Sequence, residues 1–182
     1  MVLFAHIDAS YLSETKTSIR AGGHFFMSDN ASIPSNNGAV VTISQIIKAV
    51  MSSAAESDLG SLFIDCRESI PARQALEIMG HRQPPTPIHT DNTTALGLVT
   101  NNIAIKQLKS MDMKLHCLHC RIAQNFFCHY CQTGSNNLGD YVTKQHVVIH
   151  HQAVRGNYLT PEQKLDLLQR RMCKDSSTAR VC

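Results

Sequence analysis

The chain has no tryptophan, and aromatic residues make up only 5% of its 182 positions. Its core must therefore be built from Ile, Leu, Val, Met and Phe. Long hydrophobic runs are missing too: nothing approaches the ~18 apolar residues of a membrane span, which excludes a transmembrane protein. The opening residues Met1 to Asp8 lack a basic stretch and a small-residue cleavage site, so secretion is not expected and an intracellular location is. Six prolines and nine glycines are too few for a fibrous chain, and 43% apolar residues are too many for a disordered one. Neither sign of charge dominates. The net charge of +3 permits a nucleic-acid partner without arguing for one. Seven cysteines, an odd number with no secretory signal, point to free thiols or a metal site rather than a disulfide framework. The length suits one domain with one core, followed by a tail.

Val2 to Asp8 reads as a buried strand. Gly22 and Gly23 precede a second strand, His24 to Met27, and a turn-rich loop leads to a third, Ala39 to Ile43. Ser52 and Ser53 offer an N-cap, with Glu56 three residues after Ser53 as in a capping box. Ala55, Leu59, Leu62, Phe63, Cys66 and Ile70 then fall in one helical stripe, and Pro71 predicts a kink or break. After the stiff connector Gln83 to Pro87, Ile88 to Asp91 reads as a strand, with Asn92 and Thr93 opening a helix. A helix over 109–124, a strand over 125–131 and a short helix over 138–144 follow. Beyond Gln145 the pattern is weak until Thr160 and Pro161, which predict a last helix over 161–172.

Two of these strands, the first and the fourth, end in aspartate. Acids gathered at one sheet edge repel each other unless a cation sits between them, and a pair of divalent ions held there can activate water in phosphodiester hydrolysis. Taken singly, each aspartate is more readily a cap for a helix or turn.

Five segments occur in a telling order: His6-Ile-Asp8-Ala-Ser-Tyr11, Arg20-Ala-Gly-Gly-His-Phe-Phe, Ser52-Ser-Ala-Ala-Glu56-Ser-Asp58-Leu, Pro87-Ile-His-Thr-Asp91-Asn-Thr-Thr and Gly134-Ser-Asn-Asn-Leu-Gly-Asp140-Tyr-Val-Thr-Lys144. The set resembles the ribonuclease H domain of copia-type LTR-retrotransposon polyproteins, over roughly residues 3 to 151. The resemblance implies an α/β, ribonuclease H-like fold, a five-stranded mixed sheet flanked by helices. It implies a domain over 1–151, cut from a longer polyprotein whose reverse transcriptase and integrase parts are absent, and a divergent tail over 152–182. It further implies cleavage of the RNA strand of RNA/DNA hybrids with two Mg²⁺ ions, or Mn²⁺, held by Asp8, Asp58, Asp91 and Asp140. Lys16, Arg20, Asn92, Lys109 and Lys144 are the foremost candidates for contact with the hybrid, with Lys106, Lys114 and Arg121 behind them.

One ligand departs from the family. Its first long helix opens with Glu-Ala-Glu, and the second Glu, the ligand, is here Asp58. Glu56 stands about 200° away around the helix and cannot serve the same ions. Asp is shorter by one methylene, about 1.5 Å, where placement within ~0.5 Å is needed. The alternative reading is therefore a catalytically decayed remnant that keeps the fold and at most weak nucleic-acid binding. The family's large aromatics are also missing near Cys117 and Cys131, so voids are expected there.

Cys117, Cys120, Cys128 and Cys131 form two CxxC pairs, a set suited to tetrahedral zinc. The gap between them is far below the ~15–20 residues usual for such pairs, and residues three apart on a strand face opposite ways. Zinc is not expected. His146, His150 and His151 read as a solvated basic segment near the substrate phosphates.

Overall fold

The structure is a computed structural model and describes residues 1–11, 18–30, 35–51, 53–100 and 111–159. The first three strands, β1 (Val2–Ser10), β2 (Ile19–Ser28) and β3 (Ala39–Ile47), precede a long helix, α1 (Ala54–Ile78). Then come β4 (Thr86–Thr90), α2 (Thr93–Val99), α3 (Asp112–Ala123), β5 (Phe127–Cys131), α4 (Asp140–Thr143) and α5 (Val148–Leu159). The five strands form one sheet in the order β3-β2-β1-β4-β5. The pairs β1–β2 and β2–β3 are antiparallel, whereas β1–β4 and β4–β5 are parallel. The sheet is thus mixed, as expected. Among the described residues no helix is long and apolar enough to cross a membrane.

Alternate residues of β1 serve the two faces of the sheet. Leu3, Ala5 and Ile7 join Phe25, Leu59, Leu62, Ile88, Leu118 and Phe127 in the main core. Val2 and Phe4 form a smaller cluster with Phe26. The buried face of α1 is unusual. Beside Leu59, Leu62 and Cys66 it carries Ser57, Ser61, Asp65 and Ser69, a polar ladder at four-residue spacing. The apolar stripe legible in the sequence is only one margin of this face. The small polar residues let the helix lie close over β1 and β2.

Three expectations need correction. β2 begins at Ile19 rather than His24, so Gly22 and Gly23 lie inside the strand. Their smallness serves packing, not turning: a Cβ on Gly22 would lie 2.3 Å from Thr143, and one on Gly23 would lie 2.5 Å from Asp65 on the opposite face. α1 runs through Pro71 without a break. Proline removes one backbone hydrogen bond, and just beyond it Arg73 ties the helix to the following segment, its guanidinium donating to the carbonyls of Gln83 and Pro84 and to the hydroxyl of Thr86. β5 starts at Phe127 rather than Asn125, because Asn125 takes φ 58° just after α3, a conformation Asn tolerates at a helix end.

α5 occupies the weakly patterned histidine stretch and continues across residue 151, where the family resemblance ends. It buries no apolar stripe, so periodicity could not reveal it. Tyr158 fastens it, donating to the Leu138 carbonyl at 3.0 Å and stacking on Tyr141 with ring centroids 4.4 Å apart. The helix expected over 161–172 lies outside the described residues.

Candidate active site

Asp8 sits near the end of β1, 9% exposed. The parallel register pairs Ala5 with Ile88 and His6 with His89. Continued by two residues, this register points Asp91, just past β4, to the same end of the sheet as Asp8.

Asp58 comes from the first turns of α1. Ser53 caps this helix, its hydroxyl accepting the Glu56 backbone N–H at 3.2 Å, as the capping-box reading expects. Glu56 is buried at the helix start, and Asp58 instead meets the β1 and β4 ends: it accepts hydrogen bonds from the Asn92 side-chain amide and the Ala9 backbone N–H.

Asp140 is delivered by a loop tied down to β1. Asn137 donates to the Ile7 carbonyl at 2.8 Å and accepts from the Gly139 N–H at 3.0 Å. The Leu138 N–H donates to Nδ1 of His6 at 3.2 Å. Gly139 then lies so close to β1 that a Cβ would be 2.9 Å from the His6 carbonyl oxygen and 3.0 Å from the Asp8 nitrogen. Only glycine permits that approach, and it carries Asp140 to Asp8.

The electrostatics show that the four aspartates share one neighbourhood. Burial pushes the Asp8 carboxyl above its ordinary value; the Thr143 hydroxyl, donating at 2.5 Å, opposes this, while the charges of Asp91 and Asp140 add to it. Burial pushes Asp58 up to about 7; the Asn92 amide and Ala9 N–H oppose the rise, and Asp8 and Asp91 add to it. Lys144 pairs with Asp140, and its own pKa is raised by that hydrogen bond and by the charges of Asp140, Asp8 and Asp91.

Four hard oxygen donors in mutual repulsion fit an oxygen-seeking divalent cation in chemistry. In the conformation described three of them are otherwise engaged, Asp8 with Thr143, Asp58 with Asn92 and Asp140 with Lys144. Among the described residues no three His, Cys, Asp or Glu side chains stand close enough to hold one metal ion.

The other sequence candidates distribute differently. Lys16, Lys106 and Lys109 lie outside the described residues. Arg20 donates to the Ser44 hydroxyl at 3.1 Å, across to β3. Lys144 stands at the acids. Lys114 instead borders a cleft between the end of β3 and α1, and Arg121 one between α1 and α3. Cys117 and Cys120 are exposed on α3, and Cys128 and Cys131 lie on β5, with the Cys128 thiol donating to the Pro85 carbonyl at 3.4 Å. His146, His150 and His151 gather around Tyr141, with His146 and His150 stacked at 4.2 Å.

Sequence reasoning missed Thr143, Asn137 and His6 as groups that place the acids. The quoted Gly134-to-Lys144 segment contains two of them, but their roles depend on a contact with β1 more than 120 residues away in sequence.

No protein-family profile matches the chain, and no curated protein matches it in sequence. Its fold has clear counterparts among solved structures. It is similar to LC11-RNase H1, isolated from compost, with a TM-score of 0.54 and 10% identity over 78% of this chain and 90% of that one. LC11-RNase H1 in complex with an RNA/DNA hybrid gives 0.50 at 10% identity, covering 78% of this chain and 91% of that one. The N-terminal RNase H domain of rv2228c from Mycobacterium tuberculosis, as a fusion with maltose binding protein, gives 0.51 at 10% identity over 78% and 95%. At such identities the likeness speaks for the backbone alone, and it makes the fold ribonuclease H-like.

Proposed function

We propose that the chain is a divalent-cation-dependent nuclease that hydrolyses the RNA strand of RNA/DNA hybrids, serving reverse transcription of a copia-type retrotransposon. One observation carries this: four aspartates from β1, α1, the end of β4 and α4 meet in one electrostatic neighbourhood on a ribonuclease H-like sheet. The solved complex of LC11-RNase H1 with a hybrid supports the substrate class.

Asp8, Asp58, Asp91 and Asp140 would hold Mg²⁺, or Mn²⁺ in its place. The bound ions would supply activation of water and neutralisation of charge on the leaving oxygen. The protein's own part is to keep the acids in register. Thr143 fixes Asp8, Asn137 and Gly139 fix the approach of Asp140, and Lys144 balances charge at the rim. Its exposed ammonium is also placed to meet a substrate phosphate.

The test is cleavage of a labelled hybrid with Mg²⁺ or Mn²⁺. Asp8→Asn should abolish it, losing more than the roughly 10–100-fold typical of removing an outer partner of a metal site. Cleavage that survives Asp8→Asn would sink the assignment. A second reading, the decayed remnant, is favoured by one observation: among the described residues no three of the acids stand close enough to hold one metal ion. It predicts a folded chain that does not cleave, and Asp58→Glu shows whether one methylene is the cause.

A further inference from the structure

Asn92 stands in the sequence as a candidate contact for the hybrid, but the structure uses both ends of its side chain internally. Its Oδ1 accepts the backbone N–H groups of Thr94 at 2.8 Å and Ala95 at 3.1 Å, making it the N-cap of α2. Held at that end, the carboxamide presents Nδ2 in a fixed direction, and Nδ2 donates to Oδ2 of Asp58. The second donor to Asp58 is the Ala9 N–H. The two donors are the chain neighbours of two other acids: Ala9 follows Asp8, and Asn92 follows Asp91. The carboxylate that lacks a methylene is therefore measured off directly from the ends of β1 and β4.

We propose that Asn92 is a positioning residue for Asp58: capping α2 with its oxygen and bonding Asp58 with its nitrogen, it sets the short carboxylate in place relative to Asp8 and Asp91. In doing so it stands in for the reach that Glu would have given. The inference rests on the reading that these aspartates hold divalent cations.

Asn92→Ser separates capping from positioning. Serine is as good an N-cap as asparagine but has no amide to reach Asp58. Mn²⁺ alone is titrated into the full chain by calorimetry, with melting temperature recorded alongside. The expected result is a chain that still melts cooperatively and Mn²⁺ affinity weakened by about tenfold, as for loss of an outer partner in other metal sites. Asp58→Glu supplies the control through a double-mutant cycle. With the longer carboxylate present, Asn92→Ser should change Mn²⁺ affinity by less than about twofold. Unchanged affinity in Asn92→Ser, beside a wild-type chain that binds Mn²⁺, overturns the positioning role and leaves the cation reading standing. So does an equal loss in both backgrounds, which shows that Asn92 does not act through Asp58. A raised KM for the hybrid with Mn²⁺ affinity intact returns Asn92 to substrate binding. If the wild-type chain binds no Mn²⁺, the cation reading falls and this one with it.

Discussion

Asp65 occupies the least favourable place for a charge among the described residues. It is fully buried on α1, its Oδ1 has no hydrogen-bond partner, and Oδ2 lies 3.0 Å from the Ser61 hydroxyl. Burial drives its pKa well above the ordinary value, so the neutral acid donates to Ser61, and Ser61 donates in turn to the Asp8 carbonyl at 2.7 Å. A carboxyl whose pKa rises on folding stabilises the fold at low pH, and that stability is lost as pH climbs through and above the unfolded value near 4. Asp65→Asn keeps the shape and a donor but cannot ionise. It should raise stability at pH 8 by about 1–3 kcal/mol, the usual scale for an ill-satisfied buried polar group, with the gain shrinking toward pH 4. Urea melts at the two pH values check this, and a loss at pH 8 would show that the carboxylate is ionised and usefully paired. At this scale the sequence is an uneven guide. Asp8 and Asp91 stood out because each closes a short strand run in the sequence. Asp65 was not, since a lone acid within a helical stripe looks like any solvated position until the polar ladder of Ser57, Ser61 and Ser69 is seen to face inward.

Secondary elements were legible where side-chain period and caps agree. The starts of β1, of α1 with its Ser53 cap and of α2 behind Asn92 fall where the sequence places them, whereas β4 begins two residues early, at Thr86 inside the expected connector. α5 was not legible, because it is fastened by the rings of Tyr158, Tyr141 and His24 rather than by an apolar stripe. The interface of α1 with α3 carries the clearest trace of a missing side chain. A void is expected at Cys117, and a half-open cleft of about 120 Å³ borders it, walled by Phe63, Cys66, Ile70, Leu118 and Phe127 with Arg67 and Arg121. Cys117 and Cys131 are both exposed, but Cys117 borders this space whereas Cys131 stands at the end of β5, where bulk would meet solvent. Filling the cleft should help: Cys117→Leu adds apolar surface without crossing the whole space, and should stabilise the chain by about 1 kcal/mol. Thermal or urea unfolding measures it. A decrease would mean that α1 and α3 must close against leucine and that the space is not free to fill.

The whole molecule is squeezed by pH from both sides. His24, His6 and His89 stand side by side across β2, β1 and β4, and Tyr130 continues the row on β5. Burial lowers His6 to about 3, aided by His89 and His24, and lowers His24 and His89 as well. His129, on β5 against the Cys66 thiol, is lowered to about 4 by burial. These imidazoles are neutral in the fold and protonated in the unfolded chain below about pH 6.5. In that range the unfolded state binds more protons, so stability falls as pH drops from about 6.5 toward 4. Asp58 and Asp65 have the opposite sign: the folded state holds their protons, and stability falls as pH rises from about 4 until each ionises, near 7 for Asp58. Below 6.5 the four imidazoles outweigh these carboxyls; above it only the carboxyls still act. Stability should therefore peak near pH 6.5, with a steeper acid limb, when urea midpoints are measured from pH 4 to 9. A divalent cation must act on the alkaline limb alone, because it favours ionised Asp8 and Asp58 in the fold and has no such site in the unfolded chain. With Mn²⁺ present the peak should shift to higher pH, and Asp58→Asn should remove that shift. A pH optimum that Mn²⁺ does not move, in a chain with all four aspartates intact, would show that burial alone, without a shared cation site, raises these carboxyls.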